Sequence, residues 1–322
     1  MNIVYFVEQQ EYQRKMSRVR FHSMEAIERV CMNFKWWGID WPKYDRTLTV
    51  QENIDTLDFV PDLVIAYRPH VLNGFQDLKI PTLIRYNEMY NQRATINEIA
   101  EAKPNIVLCH HENDMQFYID HFETTEYGHP APRFIHVPHC ADKSIYYPRD
   151  AMKIWDVMLV GAVDIINSLG NNHYPLRQTM KKVIDQMSNR YMCRTLAHPG
   201  YVHGDAYTNI YANHFAEEIN SAKICLTCSG VPNSRFAKYI EIPMCGIAIA
   251  ADIPGQDQND FKRFVLEINQ DMSEFDIITK LEHYLRYEDE REILVDEGLR
   301  WAAKYTQEDY ANMFFHEIEG VL

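Results

Sequence analysis

The chain has 322 residues, more than the roughly 250–300 residues at which one hydrophobic core stops growing, so two packed domains are expected. Hydrophobic residues make up 46% of the sequence and aromatic residues 12%, which excludes a largely disordered chain. The formal charge of −14 excludes a general electrostatic attraction to nucleic acids and anionic membranes, so any bound anion needs a local site.

The start of the sequence favours a cytoplasmic protein. Residues 1–7 are apolar but lack a basic flank, and no stretch approaches the roughly 18 uninterrupted apolar residues of a membrane span. The 7 cysteines are an odd number without a regular spacing, which favours reduced thiols over a disulfide framework.

The first half alternates short apolar runs with amphipathic stretches, the pattern of βαβ units in a parallel sheet. Residues 18–34 place Met24, Ile27, Cys31 and Phe34 three and four apart, which predicts a helix packed on that sheet. Strands are predicted at residues 2–7, 63–67, 82–86, 106–109 and 134–137.

Residues 143–153 show neither strand nor helix periodicity, and they mark the predicted domain boundary. We expect an N-terminal domain at residues 1–147 and a C-terminal domain at 148–305. The helix over residues 306–322 carries an apolar stripe that must pack on another element.

The second half repeats the βαβ pattern. Strands are predicted at residues 157–161, 194–197, 224–228 and 247–250, with a helix over 175–187 and another ending at Gly246. The segments 273–276 and 306–309 have the residue types of capping boxes and predict two late helix starts. The fold class is therefore α/β, with two Rossmann-like domains facing a central cleft, where parallel sheets bind ligands.

One segment of the C-terminal half combines a polar turn with charges at helical spacing. Cys228 to Gly246 runs from a strand through Ser229 and Gly230 into a helix, whose amides and dipole favour a diphosphate. Arg235 and Lys238 add positive charge, and Glu241 would accept hydrogen bonds from ribose hydroxyls. The alternative interpretation is a solvated helix face with an ordinary ion pair.

The same segment resembles a known family. Residues 238–246 are similar to the Lys-x-x-Glu-x-x-x-x-Gly core of group 1 glycosyltransferases, in which the glutamate contacts the ribose of the donor. The resemblance covers roughly residues 134–318, and its further motifs follow in the family's order at 136–142, 156–161, 174–177, 198–201, 211–223 and 289–292.

This resemblance implies the GT-B fold, in which residues 1–147 form the acceptor-side domain, residues 148–305 bind the nucleotide sugar, and the final helix, residues 306–322, crosses back onto the N-terminal domain. It also implies transfer of a hexosyl or pentosyl group from a nucleotide-sugar donor, a UDP sugar by expectation, to a glycan or other hydroxyl acceptor. The donor-binding residues would be Gly161, Arg177, Ser229, Gly230, Asn233, Ser234, Arg235, Lys238, Tyr239 and Glu241. Asn233 departs from the pattern, since many members carry a second glutamate there, and retaining versus inverting chemistry stays open.

Catalysis requires a departing nucleoside diphosphate to be stabilised and an acceptor hydroxyl to lose its proton. Arg235 and Lys238 are the candidates for the first task, and no cofactor or metal is expected. Glu88 is the preferred base, and the other polar side chains that follow predicted N-terminal strands are Glu8, His110 and His111. His139 is expected to line the cleft.

Other functions remain open at this stage. A nucleotide-sugar epimerase would share the architecture, and Asn233 is compatible with a non-catalytic nucleotide-sugar-binding protein. The net charge disfavours nucleic acid as a partner, but a basic segment at Arg14, Lys15, Arg18 and Arg20 leaves a DNA-modifying sugar transferase as an alternative.

Overall fold

A computed structural model describes residues 1–14, 18–86, 91–166, 170–196 and 209–321. Its contacts divide the chain into two compact units. The first holds the described residues up to Pro138, apart from Arg18 and Val19, together with those from Tyr310 onward. The second holds those from His139 to Asp309, so the change of unit falls ahead of the predicted boundary at residue 147.

The first unit is built on a 6-stranded sheet in the order β2-β1-β3-β4-β5-β6, and every pairing in it is parallel. Its strands are β1 (Asn2–Phe6), β2 (Asn33–Trp37), β3 (Leu63–Ala66), β4 (Thr82–Arg85), β5 (Ile106–Cys109) and β6 (Arg133–His136). The helices between them are α1 (Gln9–Arg14), α2 (Arg18–Glu28), α3 (Val50–Ile54), α4 (Gln92–Ala102) and α5 (Glu112–Thr124).

The predicted helix over residues 18–34 is too long. Helix α2 ends at Glu28, and Phe34 lies in β2, a strand that the sequence did not reveal. Met24 and Ile27 do form the buried face of the helix, with 0% exposure, and each such side chain contributes about 1.5–3 kcal/mol by burial. Phe34 matched their spacing by coincidence, since it pairs in parallel register with Ile3 of β1.

The second unit is built on a 5-stranded parallel sheet in the order β11-β10-β9-β7-β8. Its strands are β7 (Trp155–Val160), β8 (Cys193–Leu196), β9 (Ala222–Leu226), β10 (Ala248–Ala251) and β11 (Leu266–Glu267). Its helices are α6 (Pro175–Met187), α7 (Asn209–Asn220), α8 (Lys238–Met244), α9 (Gln258–Phe261), α10 (Glu274–Arg286) and α11 (Glu288–Ala302).

Local chemistry explains several helix ends in this unit. Pro175 opens α6, where its missing N–H costs nothing, and Gly246 follows α8 with φ of +67°, the left-handed conformation predicted for it. The Ser273 side chain caps α10 in a capping box with Asp276, as the sequence indicated.

The last helix, α12 (Gln307–Glu319), belongs to the first unit from Tyr310 onward. Thr306 and Asp309 form the predicted hydrogen bonds at its start. Tyr310, Phe314 and Ile318 are fully buried, so the apolar stripe packs as expected, and Arg133 donates to the Gly320 carbonyl at 2.8 Å. Within the described ranges, no helix combines the length and the hydropathy of a membrane span.

Candidate donor site in the second unit

Three of the predicted donor residues, Gly161, Arg177 and Ser229, lie at the ends of two neighbouring strands of the second sheet. Strand β7 lies between β8 and β9. The chain after β7 therefore runs towards β8, whereas the chain after β9 runs in the opposite direction, towards β10. Such switch points are the ligand-binding crevices of open parallel sheets. Gly161 follows β7 directly, and Thr227 to Ser229 follow β9.

Arg177 connects the two strand ends. Its guanidinium donates to the Ala162 carbonyl at 3.0 Å and to Thr227 Oγ1 at 3.2 Å, and it lies 4.0 Å from the centre of the Tyr174 ring. A Cβ at Gly161 would lie 2.7 Å from Arg177 Nη1. Glycine is therefore required at position 161. Arg177 mainly connects the loop after β7 with the loop after β9.

The loop after β9 is closed by its own backbone. Ser229 accepts from the Ser234 amide at 3.2 Å, and Gly230 accepts from the Asn233 amide at 3.1 Å. Gly230 and Asn233 have φ of +68° and +51°, the left-handed region that the turn requires. Asn233, which stands where the resembled family often has glutamate, is exposed.

These bonds change the predicted picture of the helix start. Helix α8 begins at Lys238, so Arg235 lies in the preceding loop and not on the helix face that bears Lys238. The Ser234 amide, which was expected to face a phosphate, donates its hydrogen bond to the Ser229 carbonyl instead. The site therefore offers charged side chains more than backbone amides.

Lys238 and Glu241 form the ion pair of the alternative interpretation, but in the interior of the protein. Their side chains are only 11% and 5% exposed, and Lys238 Nζ contacts Glu241 Oε2. The alternative of a solvated helix face is therefore wrong, although the ion pair it assumed exists.

Arg235 contacts a different set of side chains from Lys238. It is 1% exposed, pairs with Asp257 at 2.5 Å, and lies 4.3 Å from the centre of the Tyr305 ring and 5.5 Å from that of Trp301. Its Nε and Nη2 atoms are buried without a hydrogen bond to the described part of the chain. This guanidinium thus keeps donor capacity that its one carboxylate does not use.

Asp252 holds the site together and was not predicted. It follows β10 and accepts from the Ser229 amide at 2.8 Å, from the Ser229 hydroxyl, and from the Tyr239 hydroxyl at 2.8 Å. Tyr239 is fully buried, and burial together with Asp252 raises its pKa. Tyr239 therefore secures the loop and does not present its hydroxyl to a ligand.

Two of the acceptor-side candidates, Glu8 and His110, follow strands of the first sheet. Glu8 follows β1, and His110 follows β5 with 1% exposure and its Nδ1 2.7 Å from the Val137 carbonyl. Burial lowers the pKa of His110 well below its usual value, so the ring is neutral. His139, expected to line a cleft, is 4% exposed at the start of the second unit. Glu88, the preferred base, lies outside the described residues.

The neighbours of Glu88 that are described have structural partners. Asn91 caps α4 by accepting from the Ala94 amide at 3.1 Å, and the Tyr86 hydroxyl donates to Glu98 at 2.8 Å. Arg20, a member of the proposed basic segment, is 3% exposed and paired with Glu11 at 3.2 Å, so it is not part of a surface patch for DNA. Among the described histidines, cysteines and carboxylates, no group of three or more is arranged to hold a metal ion.

Comparison with known proteins identifies the fold. No family model matches the sequence, and no curated protein matches it significantly. Solved structures do match over the whole chain. Sucrose-phosphate synthase from Thermosynechococcus elongatus has a TM-score of 0.60 at 11% identity, covering 99% of this chain and 98% of that one.

Two further structures agree with this result. HepE of Anabaena, in complex with UDP and glucose, has a TM-score of 0.59 at 8% identity, covering 99% of this chain and 100% of that one. A glycosyltransferase from Rickettsia africae has a TM-score of 0.59 at 8% identity, covering 99% and 98%. The chain therefore has the GT-B fold, as the resemblance implied. At these identities the likeness establishes the fold, and the activity is argued below.

Proposed function

We propose that the chain is a glycosyltransferase that transfers a hexosyl or pentosyl group from a nucleotide-diphosphate sugar to an acceptor hydroxyl. One observation carries the proposal: the segment that leaves β9 at the switch point of the second sheet carries two buried cations, Arg235 and Lys238, and the buried carboxylate of Glu241. A UDP sugar is the expected donor, and HepE, which has this fold, was solved with UDP and glucose.

The proposed binding step exchanges partners within the ion pairs. A pyrophosphate carries enough charge to draw Lys238 away from Glu241 and to occupy the unused Nε and Nη2 donors of Arg235. Glu241 is then released to accept from the ribose hydroxyls. The buried surroundings strengthen these interactions, because the effective dielectric constant is lower there than in water.

The same residues would assist the reaction. The acceptor oxygen bonds to the anomeric carbon, the bond from that carbon to the phosphate oxygen breaks, and the nucleoside diphosphate leaves with the electron pair. Arg235 and Lys238 stabilise the charge that develops on it, so we propose that transfer needs no divalent metal. The acceptor proton passes to a base in the first unit, for which Glu88 remains our proposal.

A panel of nucleotide sugars tests the proposal. We expect UDP sugars to raise the melting temperature most, since a ligand at about 100 times its Kd contributes about 2.7 kcal/mol to the native state. Product formation from the stabilising donor, followed by mass spectrometry with and without EDTA, then tests transfer and metal independence. Stabilisation by no nucleotide sugar, or by a non-nucleotide ligand alone, would contradict the proposal.

A further inference from the structure

Asp257 has a backbone conformation that is uncommon for a residue with a side chain. It lies between β10 and α9 with φ of +57°, in the left-handed region that glycine enters without strain. Asn233, in the loop after β9, is a second described residue of this kind, with φ of +51°. The Gly255 amide donates to the Asn233 carbonyl at 3.0 Å, so the two loops are joined. Unfavourable backbone conformations of this kind are found preferentially at functional sites.

The Asp257 side chain does not serve the helix that follows it. An aspartate directly before a helix commonly accepts a hydrogen bond from an amide of the first turn. The Asp257 carboxylate makes no such bond to α9, and it accepts from Arg235 Nη1 at 2.5 Å instead. Because the backbone conformation and the missing cap are both unfavourable, the contact with Arg235 is the favourable interaction that this position provides.

This contact differs from an ordinary ion pair on the surface. Asp40 in the first unit offers the comparison, because it also has positive φ, +67°, and accepts from Arg46 at 2.5 Å. The side chains of Arg46 and Asp40 are 60% and 56% exposed, so water can replace either partner. The Arg235 side chain is only 1% exposed, and that of Asp257 is 31% exposed. Asp257 therefore fixes the orientation of the Arg235 guanidinium.

The orientation decides which donors of Arg235 stay available. A guanidinium is planar and holds its N–H donors in a rigid fork, so fixing one nitrogen and the plane fixes the others. Asp257 holds Nη1, and the Tyr305 ring lies with its centre 4.3 Å from the guanidinium carbon. The remaining atoms, Nε and Nη2, are buried and make no hydrogen bond to the described residues. They are the donors that the proposed function assigns to the pyrophosphate.

We infer that Asp257 is a positioning residue of the donor site, which holds Arg235 by Nη1 so that Nε and Nη2 are presented to the pyrophosphate. Asp257 itself does not contact the nucleotide. The inference rests on the proposed function and assigns different behaviour to its two ion pairs. The Arg235–Asp257 pair stays intact when the nucleotide binds, whereas Lys238 leaves Glu241. Position 257 therefore needs an acceptor atom more than it needs a negative charge.

Calorimetric titration of the full chain with UDP tests the inference. Asp257→Gly removes the acceptor and suits the left-handed backbone, and it should weaken UDP binding about tenfold, as expected when a charge-assisted hydrogen bond loses its alignment. Asp257→Asn keeps an acceptor oxygen and tolerates the same backbone, so it should weaken UDP only about twofold to threefold. Uridine, which has no phosphate, should bind both variants and the wild type equally in saturation-transfer NMR.

Asp40→Gly is the matched control, since it makes the same change at a left-handed aspartate whose ion pair is exposed. It should leave the affinity for UDP unchanged. Circular dichroism establishes that each variant is folded. If Asp257→Gly does not fold, Asp257→Ser takes its place, because its hydroxyl is one bond too short for the contact with Arg235.

Three results would overturn the inference and leave the donor site standing. They are UDP binding by Asp257→Gly that is as tight as in the wild type or tighter, equal losses in the glycine and asparagine variants, and a loss of uridine binding equal to that of UDP. Absence of UDP binding to the wild type would overturn the proposed donor site, and the inference with it.

Discussion

Lys238 and Glu241, one turn apart on α8, form an ion pair from which solvent is almost excluded. Their side chains are 11% and 5% exposed, in contrast to the surface pair of Lys181 and Asp185 on α6, at 41% and 61%. Removing one partner of such a pair leaves the other charge buried and uncompensated. The pair therefore stabilises the fold. In our proposal, it is also the arrangement of these two side chains before the nucleotide binds.

Glu241→Ala is expected to destabilise the protein strongly. The loss should be about 3–5 kcal/mol, since Lys238 would be left buried without its partner. Urea unfolding followed by circular dichroism measures it. Glu241→Gln keeps an acceptor oxygen and should cost less, and adding Lys238→Met to Glu241→Ala should restore much of the stability. An alanine variant as stable as the wild type would show that the charges are solvated.

Gly161→Ala tests the contact between the two strand ends. The new Cβ would lie 2.7 Å from Arg177 Nη1, at a φ of +112° that side chains rarely adopt, so we expect a loss of about 1–3 kcal/mol. Gly170→Ala is the control, because Gly170 also has positive φ, +78°, but a Cβ there has no neighbour within 4 Å among the residues that the structure describes. Equal losses in the two variants would mean that backbone strain, and not Arg177, makes Gly161 necessary.

Asp252→Asn should loosen the loop that carries the donor residues. The substitution removes the charge that holds the Ser229 amide and hydroxyl and the Tyr239 hydroxyl, so we expect a loss of about 1–3 kcal/mol. Titration calorimetry should also show weaker binding of the UDP sugar, although Asp252 is not proposed to touch it. Asp271→Asn, at an exposed position, controls for the charge. Unchanged affinity in Asp252→Asn would argue against a positioning role.

The stability of the protein should depend on His173 in mildly acidic solution. Burial and the nearby Arg177 lower the pKa of His173 from 6.5 to about 4. The unfolded chain therefore takes up a proton below pH 6.5 while the folded protein does not, and the stability present above pH 6.5 is lost as the pH falls towards 4. This change in the pKa of His173 contributes up to about 3 kcal/mol to the free energy of unfolding above pH 6.5.

Urea unfolding at pH 7 and pH 4.5 measures the loss of stability in the wild type and in His173→Gln. The wild type should lose more stability between the two values than His173→Gln, which has no group to titrate there. Parallel losses in the two proteins would contradict a depressed pKa at this position.

Much of the fold could be predicted because local signals agreed with the tertiary structure. The strand at residues 106–109 and the helix at 175–187 have the predicted bounds, since proline or a sharp change in polarity marks their ends. Strand β2 was missed because Phe34 continues the helical spacing of Met24 and Ile27. Its strand conformation depends on pairing with β1, about thirty residues away, which no local pattern reveals.

In the candidate site, too, the local contacts could be predicted from the sequence and the long-range contacts could not. Lys238 and Glu241 were brought together by their spacing in the sequence, which is a local property of a helix. Asp252, Asp257 and Tyr305 reach the site from distant segments, so their contacts with Ser229 and Arg235 follow only from the packing of the unit.

The most direct test is a crystal structure of the protein with bound UDP. Our account predicts the pyrophosphate within hydrogen-bond distance of Arg235 and Lys238, the ribose hydroxyls on Glu241, and the Lys238–Glu241 pair separated. A nucleotide bound elsewhere, with that pair intact, would contradict it.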